Sequence, residues 1–246
     1  MVGSLGPGLN NRRSAAAHAR SAAAAAAAKG GSIVFDGSSN YLNLSTDSDL
    51  QFGTGAWTVE FFVKLNSATS GALFDWRPAA TNGAYPYLYV TNGKINYFVN
   101  NTIAITGTVT LTTGTWYHVA VSKVSGSTRL FISGSQDGTT YSDSINYSAG
   151  FLTIGKQSFT SAGFLNGNLT NYRVTKGQAL YVSNFGVPNA PMTAGANTKL
   201  LLLASASGTA LADSSGLNKV VTNNGTTWSN TNPFKSEEHT SELQSH

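Results

Sequence analysis

The chain of 246 residues contains no cysteine, which excludes disulfide bonds, thiolate zinc sites and cysteine nucleophiles. Charged residues make up only 11% of the sequence, a low share for a globular protein. No apolar run approaches the length of a membrane-spanning helix, so we expect no membrane insertion. Between residues 32 and 235 there is a single glutamate, Glu60, and a single histidine, His118. Catalysis by paired glutamates or by several histidines is therefore disfavoured.

The formal net charge of +4 is distributed unevenly along the chain. Residues 1–31 carry four basic groups and no acidic group, whereas residues 32–235 carry eleven basic and eight acidic groups. Residues 236–246 carry three glutamates and no lysine or arginine. A nucleic-acid-binding function would have to rest on the first segment alone, because the middle of the chain is nearly balanced. We therefore expect no nucleic-acid partner.

The two ends of the chain differ from the middle in composition. Residues 1–31 are rich in glycine and alanine and have no apolar stripe, so we interpret them as a flexible or helical arm. Residues 236–246, SEEHTSELQSH, have no apolar periodicity and resemble the translation of a sequencing-adapter oligonucleotide. We interpret this tail as non-native and exclude its two histidines from any site.

From Ser32 onward the apolar residues recur with a period of two, as in strands that lie on a core. In WTVEFFVKL, Trp57 and every second residue after it fall on one face, and Glu60 falls on the other. Further short strands are predicted in SIVF, YLNL, ALFDW, FLTIG, NLTNYRV and KLLLL. The alternation is broken within NLTNYRV, which indicates a β-bulge.

Two tight turns are expected to join neighbouring strands. In YLYVTNGKINYFV, Asn92-Gly93 can supply the two positive φ angles of a type I′ turn, which predicts a hairpin of strands 87–90 and 94–99. A second hairpin is expected in WYHVAVSKVSGSTRLFIS, with its turn near Gly126. About a dozen strands without an interior helix predict an all-β fold, a two-sheet antiparallel jelly-roll sandwich.

Six segments of the chain have a familiar order and spacing: GGSIVFDGSSNYLNL, LQFGTGAWTVEFFVK, GTWYHVAVSK, LFISG, LNGNLTNYRVTKGQALYVSNF and LADSSGLNKVVTNNG. They resemble laminin-G-like domains of the concanavalin A-like lectin/glucanase superfamily, especially the versions repeated in bacteriophage tail and fibre proteins. The resemblance implies one jelly-roll domain over residues 32–235 and a location on a virion surface or outside a cell. Residues 197–234 would supply either the closing strands of this sandwich or the start of a next repeat.

The resemblance implies work on carbohydrates, and the residues favour binding over catalysis. Glycosidases of the superfamily use paired carboxylates on one strand, about 5 to 5.5 Å apart in retaining enzymes. Glu60 has only Thr58 and Phe62 two positions away. No serine stands in a nucleophile elbow, so we interpret His118 as a packed sheet histidine. We expect a non-catalytic, lectin-like adhesion module that binds glycans on a host or environmental surface.

The candidate sugar-binding residues lie in FDWRPAATNGAYPYLY, in and beside a loop that contains glycine and proline. Sugars stack their apolar faces on aromatic rings and exchange hydrogen bonds with amide and guanidinium groups. The alternative is that the aromatic residues line the sandwich, as we expect for Trp57 and Trp116. The candidates are Trp76, Arg77, Asn82, Tyr85 and Tyr87.

A structural calcium ion is also implied by the resemblance, because many superfamily members hold one with a carboxylate on the last long strand. The matching position is Asn171 in TNYRV, a neutral side chain where an aspartate would be expected. Asp36 in FDG and Asp213 in DSSG are the further candidate ligands. The alternative is that these aspartates cap backbone amides at turns. No other cofactor is expected.

Two other functions remain open. One is a structural spacer or assembly module of a virion fibre or capsid, with only other virion proteins as partners. Exposure of Trp76, Tyr85 and Tyr87 together around a concavity would favour sugar binding, whereas their burial would favour the spacer. The other is a glycosidase with displaced catalytic residues, which would need two carboxylates that converge in a cleft.

Overall fold

The computed structural model describes residues 30–78 and 83–234 of the chain. The expected arm before residue 30 and the tail 236–246 lie outside the described residues. Neither of the short 3₁₀ helices in the described part, Ser48–Leu50 and Ser207–Thr209, has the length or apolar character of a membrane span. The strands of these residues are β1 (Ser32–Asp36), β2 (Tyr41–Leu44), β3 (Trp57–Leu65), β4 (Ser70–Asp75), β5 (Tyr87–Thr91), β6 (Lys94–Val99), β7 (Thr102–Thr106), β8 (Trp116–Val124), β9 (Ser127–Ile132), β10 (Ser135–Ser142), β11 (Leu152–Ile154), β12 (Asn166–Lys176), β13 (Thr198–Leu202), β14 (Thr222–Asn224) and β15 (Thr227–Ser229).

The strands form two antiparallel sheets that enclose one hydrophobic core. Sheet A has eight strands in the order β10-β9-β8-β3-β12-β1-β15, and β13 also pairs with β12. Sheet B has seven strands in the order β14-β2-β11-β4-β5-β6-β7. The predicted all-β sandwich of two antiparallel sheets, a concanavalin A-like jelly roll, is therefore confirmed.

Alternation along the strands decides which side chains enter the core. Trp57, Phe61 and the other odd-numbered residues of β3 are fully buried between the sheets, whereas Glu60 is on the opposite face. Burial of each large apolar side chain stabilises the fold by roughly 1.5–3 kcal/mol. Trp116 is not in this core, contrary to expectation. It is half-buried on the outer face of sheet A, where Lys64 Nζ lies 5.5 Å from its ring centroid.

Both predicted hairpins are present. Asn92 and Gly93 have φ angles of 50° and 74°, the left-handed values that a type I′ turn requires. The two-residue turn sets the register of β5 and β6, so that Tyr87 lies opposite Phe98. Strands β8 and β9 form the second hairpin, whose turn includes Gly126 with φ 71°.

Strand β12 changes its partner half-way along its length. Its first part pairs with β1 and its second part pairs with β13. The register against β3 shifts between Thr170 and Arg173, and Asn171 has a φ of 52° at this point. This irregularity is the bulge that the broken alternation of NLTNYRV predicts.

The last three strands add to both sheets of the same sandwich. Strands β13 and β15 pair with β12 and β1 in sheet A, and β14 pairs with β2 in sheet B. Asn232 Nδ2 donates a hydrogen bond of 3.0 Å to the carbonyl oxygen of Gly30. The described chain therefore enters and leaves the sandwich at the same side.

Residues 177–196, which we call the covering segment, lie over the outer face of sheet A. The backbone amide of Leu180 donates to Thr58 Oγ1, and Met192 packs in a small apolar cluster with Phe62 and Phe234. Side chains of β3 that face away from the main core, such as Phe62, are therefore buried beneath this segment.

Candidate functional site

Trp76, the first candidate for sugar stacking, lies inside the core. Its side chain is 0% exposed, and its ring packs against those of Phe52 and Phe74 with centroid distances of 5.2 Å. Its Nε1 donates a hydrogen bond of 3.1 Å to the carbonyl oxygen of Leu50. No face of the indole is left for a ligand, which corrects the expectation that Trp76 stacks on a sugar.

Arg77 points to the outer side of sheet B, where protein groups engage its guanidinium. Its Nη2 and Nε lie 2.7 Å and 2.9 Å from the two carboxylate oxygens of Asp75, and both side chains are almost completely buried. The guanidinium carbon lies 3.9 Å from the ring centroid of Tyr87 and 4.6 Å from that of Phe159. Such a desolvated cation between aromatic rings is stabilised by about 2 kcal/mol. The charge of Arg77 is therefore balanced by Asp75.

Arg77 and Tyr87 border a groove of about 470 Å³ on the outer face of sheet B, which we call the β5-β6 groove. Tyr89 and Phe98, two half-buried side chains on neighbouring strands, also line it. The rings of Tyr87 and Tyr89 stack with a centroid distance of 4.9 Å, and Phe98 meets Tyr87 edge-on at 6.1 Å. The groove therefore presents aromatic surface to the solvent side of the sheet.

The polar groups of the β5-β6 groove are mainly neutral. Gln157 Nε2 donates a hydrogen bond of 3.0 Å to the hydroxyl oxygen of Tyr87, which leaves that hydroxyl its own proton to donate. Burial raises the pKa of Tyr87 to about 12 and also raises the pKa of Tyr89. Both phenols therefore stay protonated near neutral pH. Apart from the balanced Arg77, the lining contributed by the described residues has no charged side chain.

The remaining predicted residues do not join this groove. Tyr85 is half-buried and lines a separate, smaller cavity of about 280 Å³ with Pro78 and Phe151. Asn82 lies outside the described residues. The structure thus brings Arg77 and Tyr87 together and separates Tyr85 from them. Tyr89 and Phe98 were missed by the sequence reasoning, although the alternation of YLYV and the register of the Asn92-Gly93 hairpin place them on the face of Tyr87.

Glu60 and His118 lie on the outer face of sheet A, beneath the covering segment. Glu60 is fully buried and accepts hydrogen bonds from His118 Nε2 at 2.9 Å, Tyr181 Oη at 2.7 Å and Arg173 Nη2 at 2.6 Å. Burial favours a higher pKa for Glu60, but the hydrogen bond from His118 and the charge of Arg173 outweigh it and hold the pKa below its usual value. His118 is 1% exposed, so its interpretation as a packed sheet histidine is confirmed.

Asp36, one of the candidate calcium ligands, caps its own turn. Its Oδ1 accepts from the backbone amides of Ser38, Ser39 and Asn40, and its Oδ2 accepts from the hydroxyls of Ser38 and Ser39. These hydrogen bonds, chiefly those from the amides of Ser39 and Ser38, hold the pKa of Asp36 far below its usual range. Its carboxylate is therefore occupied by backbone and hydroxyl donors.

The other two candidate ligands are likewise bonded to protein groups. Asn171 Oδ1 accepts from the backbone amide of Met192 at 2.7 Å. Asp213 accepts from the amides of Leu201 and Lys219 at 3.0 Å and 2.9 Å. Within residues 30–78 and 83–234 there is no group of three or more His, Asp or Glu residues that could hold a metal ion. The expected set of Asp36, Asn171 and Asp213 does not fit a shared calcium ion.

Comparison with known proteins agrees with the fold. A native heptameric SAP-like pentraxin from Limulus polyphemus is 20% identical, with a TM-score of 0.57 over 83% of this chain and 97% of that one. A protein of Bacteroides ovatus assigned to carbohydrate binding is 15% identical, with a TM-score of 0.56 over 80% and 60% of the two chains. Domains LG4-5 of the mouse laminin alpha1 chain align at 18% identity over 64% and 47%, with a TM-score of 0.46. At these identities the first two likenesses concern the fold alone, and the third carries no argument about it.

Sequence comparison gives one family. The search of curated proteins found no match to this chain. A family model for laminin-G-like domains, described as the concanavalin A-like lectin/glucanases superfamily, matches residues 36–180, more than half of the chain. This span runs from the end of β1 to just beyond β12 and includes every strand of the β5-β6 groove. The chain belongs to the laminin-G-like family of the concanavalin A-like lectin/glucanases superfamily.

Proposed function

We propose that the chain is a carbohydrate-binding, lectin-like module and that the β5-β6 groove is its binding site. The observation that carries this proposal is the composition of the groove. Tyr89 and Phe98 offer half-exposed aromatic surface, and Tyr87 and Gln157 supply neutral hydrogen-bonding groups beside it. Sugars are recognised by such a combination of ring faces and a few polar groups. The volume of about 470 Å³ is typical of ligand sites, roughly 300–1,000 Å³.

The charges around the groove favour neutral sugars. Arg77 is the one charged residue in the described part of the lining, and Asp75 neutralises it. A sulfate or carboxylate group on a glycan would lose part of its hydration without gaining an unpaired cation. Neutral glycans on a host or environmental surface are therefore the proposed ligands.

We further infer that binding takes place without hydrolysis. Glu60 is held by His118, Tyr181 and Arg173 beneath the covering segment, away from solvent. Asp75 lies beside the groove, but its carboxylate accepts from Arg77 and from the backbone amide of Ser158. Glycoside hydrolysis needs two carboxylates on either side of an accessible bond. Neither of these two acids is placed for that chemistry.

The second candidate function is a spacer or assembly module of a virion fibre or capsid. The burial of Trp76 and the 5% exposure of Tyr87 favour it by the criterion stated above. The hydrogen bond between Asn232 and Gly30, near the two ends of the described residues, argues against a spacer that is joined end to end. Such adjacent ends suit a module displayed from the side of a longer protein. The virion or extracellular setting stays a prediction.

An array of neutral and acidic glycans tests the proposal with the full chain. We expect binding to at least one neutral glycan, and binding at least about fivefold weaker in Tyr89→Ala and Phe98→Ala, since each loses an aromatic contact worth about 1 kcal/mol. The matched control is Trp116→Ala, which removes a half-buried aromatic side chain from sheet A and should bind as the wild type does. Circular dichroism checks that each variant is folded.

Two results of the array would contradict the proposal. If the folded wild type bound no glycan, the spacer function would be favoured. If the glycan bound equally well to Tyr89→Ala and Phe98→Ala, the binding site would lie elsewhere on the chain.

A further inference from the structure

A second groove, of about 630 Å³, opens at the side of the sandwich where the edges of the two sheets approach each other. The closing part of the chain builds most of it, from the 3₁₀ helix Ser207–Thr209 to β14 and β15. Ile33 of β1 completes the lining. We call it the Trp228 groove because Trp228 is the one aromatic residue among the described residues that line it. All of its described lining residues lie outside residues 36–180, where the family model matches.

The indole of Trp228 is held in place at one side of this groove. Its Nε1 donates a hydrogen bond of 2.9 Å to the carbonyl oxygen of Ala204, and the side chain is half-buried. Ala210 and Leu211 add apolar surface beside it. An indole that is fixed by its own hydrogen bond offers a ring face at little further cost in conformational entropy.

Hydroxyl and amide groups supply the polar part of the lining. Ser207, Thr209 and Thr227 are exposed residues that carry hydroxyl groups. Asn223 Oδ1 accepts from the amide and the hydroxyl of Thr226 at 2.8 Å and 2.7 Å, which fixes the β14-β15 turn. The polar groups are therefore presented on a turn that is itself hydrogen-bonded.

The chemistry of the lining selects the class of ligand. The described residues that line the Trp228 groove carry no charge, so an ionic ligand would find no counter-charge there. A wholly apolar ligand would leave the lining hydroxyls without hydrogen bonds, at a cost of about 1–3 kcal/mol for each one buried. A neutral saccharide suits both the apolar and the polar groups of the lining, because it has an apolar ring face and hydroxyl groups at its edge.

We propose that the Trp228 groove is a second binding site for a neutral saccharide, separate from the β5-β6 groove. This inference rests on the carbohydrate-binding function proposed above. Strand β14 is four strand spacings from β5 in sheet B, which corresponds to about 19 Å at roughly 4.8 Å per spacing. Two sugar units can therefore bind at the same time. A glycan polymer that reaches both grooves gains affinity because its second contact is intramolecular.

A side chain that fills the groove provides the sharpest test. A Cβ atom at Gly208 would meet nothing within 4 Å, and the same holds for Gly186 in the covering segment. Gly208 lines the Trp228 groove and has room for a Cβ atom, so Gly208→Trp introduces a large side chain at this groove, and Gly186→Trp is its matched control. Trp228→Ala is a second variant, which removes the indole instead of filling the space.

The experiment is calorimetric titration of the full chain with maltose, cellobiose, chitobiose and a disaccharide unit of the strongest neutral ligand of the glycan array, all too short to bridge the two grooves. We expect two sites per wild-type chain for a bound sugar, two for Gly186→Trp, and one for Gly208→Trp and for Trp228→Ala. A single site that is weakened at least about fivefold in Tyr89→Ala and is unchanged in Gly208→Trp would overturn this inference and leave the proposed function intact. Binding of none of these sugars would overturn both.

Discussion

The outer faces of the two sheets carry aromatic side chains of similar kind, yet only one of these faces is closed by the covering segment. On sheet A, His118 and Phe62 are 1% and 4% exposed beneath that segment. On sheet B, Tyr89 and Phe98 remain half-exposed in the β5-β6 groove. The same alternation of strand residues therefore produces a second buried layer on one side and a solvent-accessible aromatic surface on the other.

A buried charge network accounts for the closure of sheet A. Tyr181, in the covering segment, donates to Glu60, and Arg173 donates both to Glu60 and to the carbonyl oxygen of Thr193. This network ties the segment to the sheet at two points, in addition to the hydrogen bonds of the Leu180 and Met192 amides. On sheet B the comparable pair, Arg77 with Asp75, is bonded to the amide of Ser158 and leaves the rings beside it accessible. The rings of Tyr181 and Phe185 in the covering segment also pack against His118, so polar anchoring and aromatic contacts together close sheet A.

The largest effect is expected from a comparison of Trp76→Ala with Tyr89→Ala. Trp76 is a core residue, so its truncation should lower the free energy of unfolding by about 3–5 kcal/mol. Tyr89 is half-buried on the open face, and its truncation should cost about 1 kcal/mol or less. Urea denaturation of the full chain at neutral pH measures both. Similar costs for the two variants would contradict the assignment of Trp76 to the core and Tyr89 to the groove.

Glu60→Gln tests the network that closes sheet A. The substitution removes the charge of the fully buried Glu60 and leaves the partly buried Arg173 without its anionic partner, at an expected cost of about 3 kcal/mol in the free energy of unfolding. The control is Asp47→Asn, which breaks a partly exposed ion pair with Lys219 of 2.6 Å and should cost about 1 kcal/mol or less. Denaturation by urea measures both changes. A Glu60→Gln variant no less stable than Asp47→Asn would show that the network does not hold the segment.

The pH dependence of stability gives a smaller, independent effect. The pKa of Glu60 is lower in the folded chain than its usual value of about 4.3. Glu60 therefore contributes stability that is fully present above this value and is lost as the pH falls through the folded-state pKa. Between about pH 5 and pH 3 the wild type should lose more stability than Glu60→Gln. Parallel curves of urea midpoint against pH for the two proteins would contradict this.

Much of the fold follows from local sequence signals. The alternation around Trp57 predicts the core face of β3, and Asn92-Gly93 predicts the β5-β6 hairpin with its register. Each of these signals depends on residues that are close together in the sequence, so it can be interpreted without the tertiary structure. Trp116 was expected in the core because it lies in a strand pattern, but it shares the outward face of β8 with His118. There the alternation was the better guide.

Part of the β5-β6 groove could also be predicted from the sequence. Asp75 and Arg77 flank Trp76, so strict alternation puts the two charged residues on one face and the indole on the other. The hairpin register likewise places Tyr89 and Phe98 on the outward side. The glycine- and proline-containing loop that follows Trp76 favoured an exposed position for its side chain, which is wrong.

The remaining features depend on contacts between distant parts of the chain. Gln157 reaches Tyr87 from 70 residues further along, and Arg173 meets Glu60 across 113 residues. No local periodicity encodes such pairs. The covering segment has no regular strand or helix in the described structure, so no strand or helix pattern could have predicted its path over sheet A.

Nuclear magnetic resonance of the isotope-labelled full chain, titrated with a neutral oligosaccharide selected on the array, tests the central claim most directly. The account predicts the largest shifts of backbone amide signals in β5 and β6, with those of the covering segment unchanged. Shifts confined to the covering segment, or a folded chain whose β5 and β6 signals do not respond to a bound sugar, would contradict it.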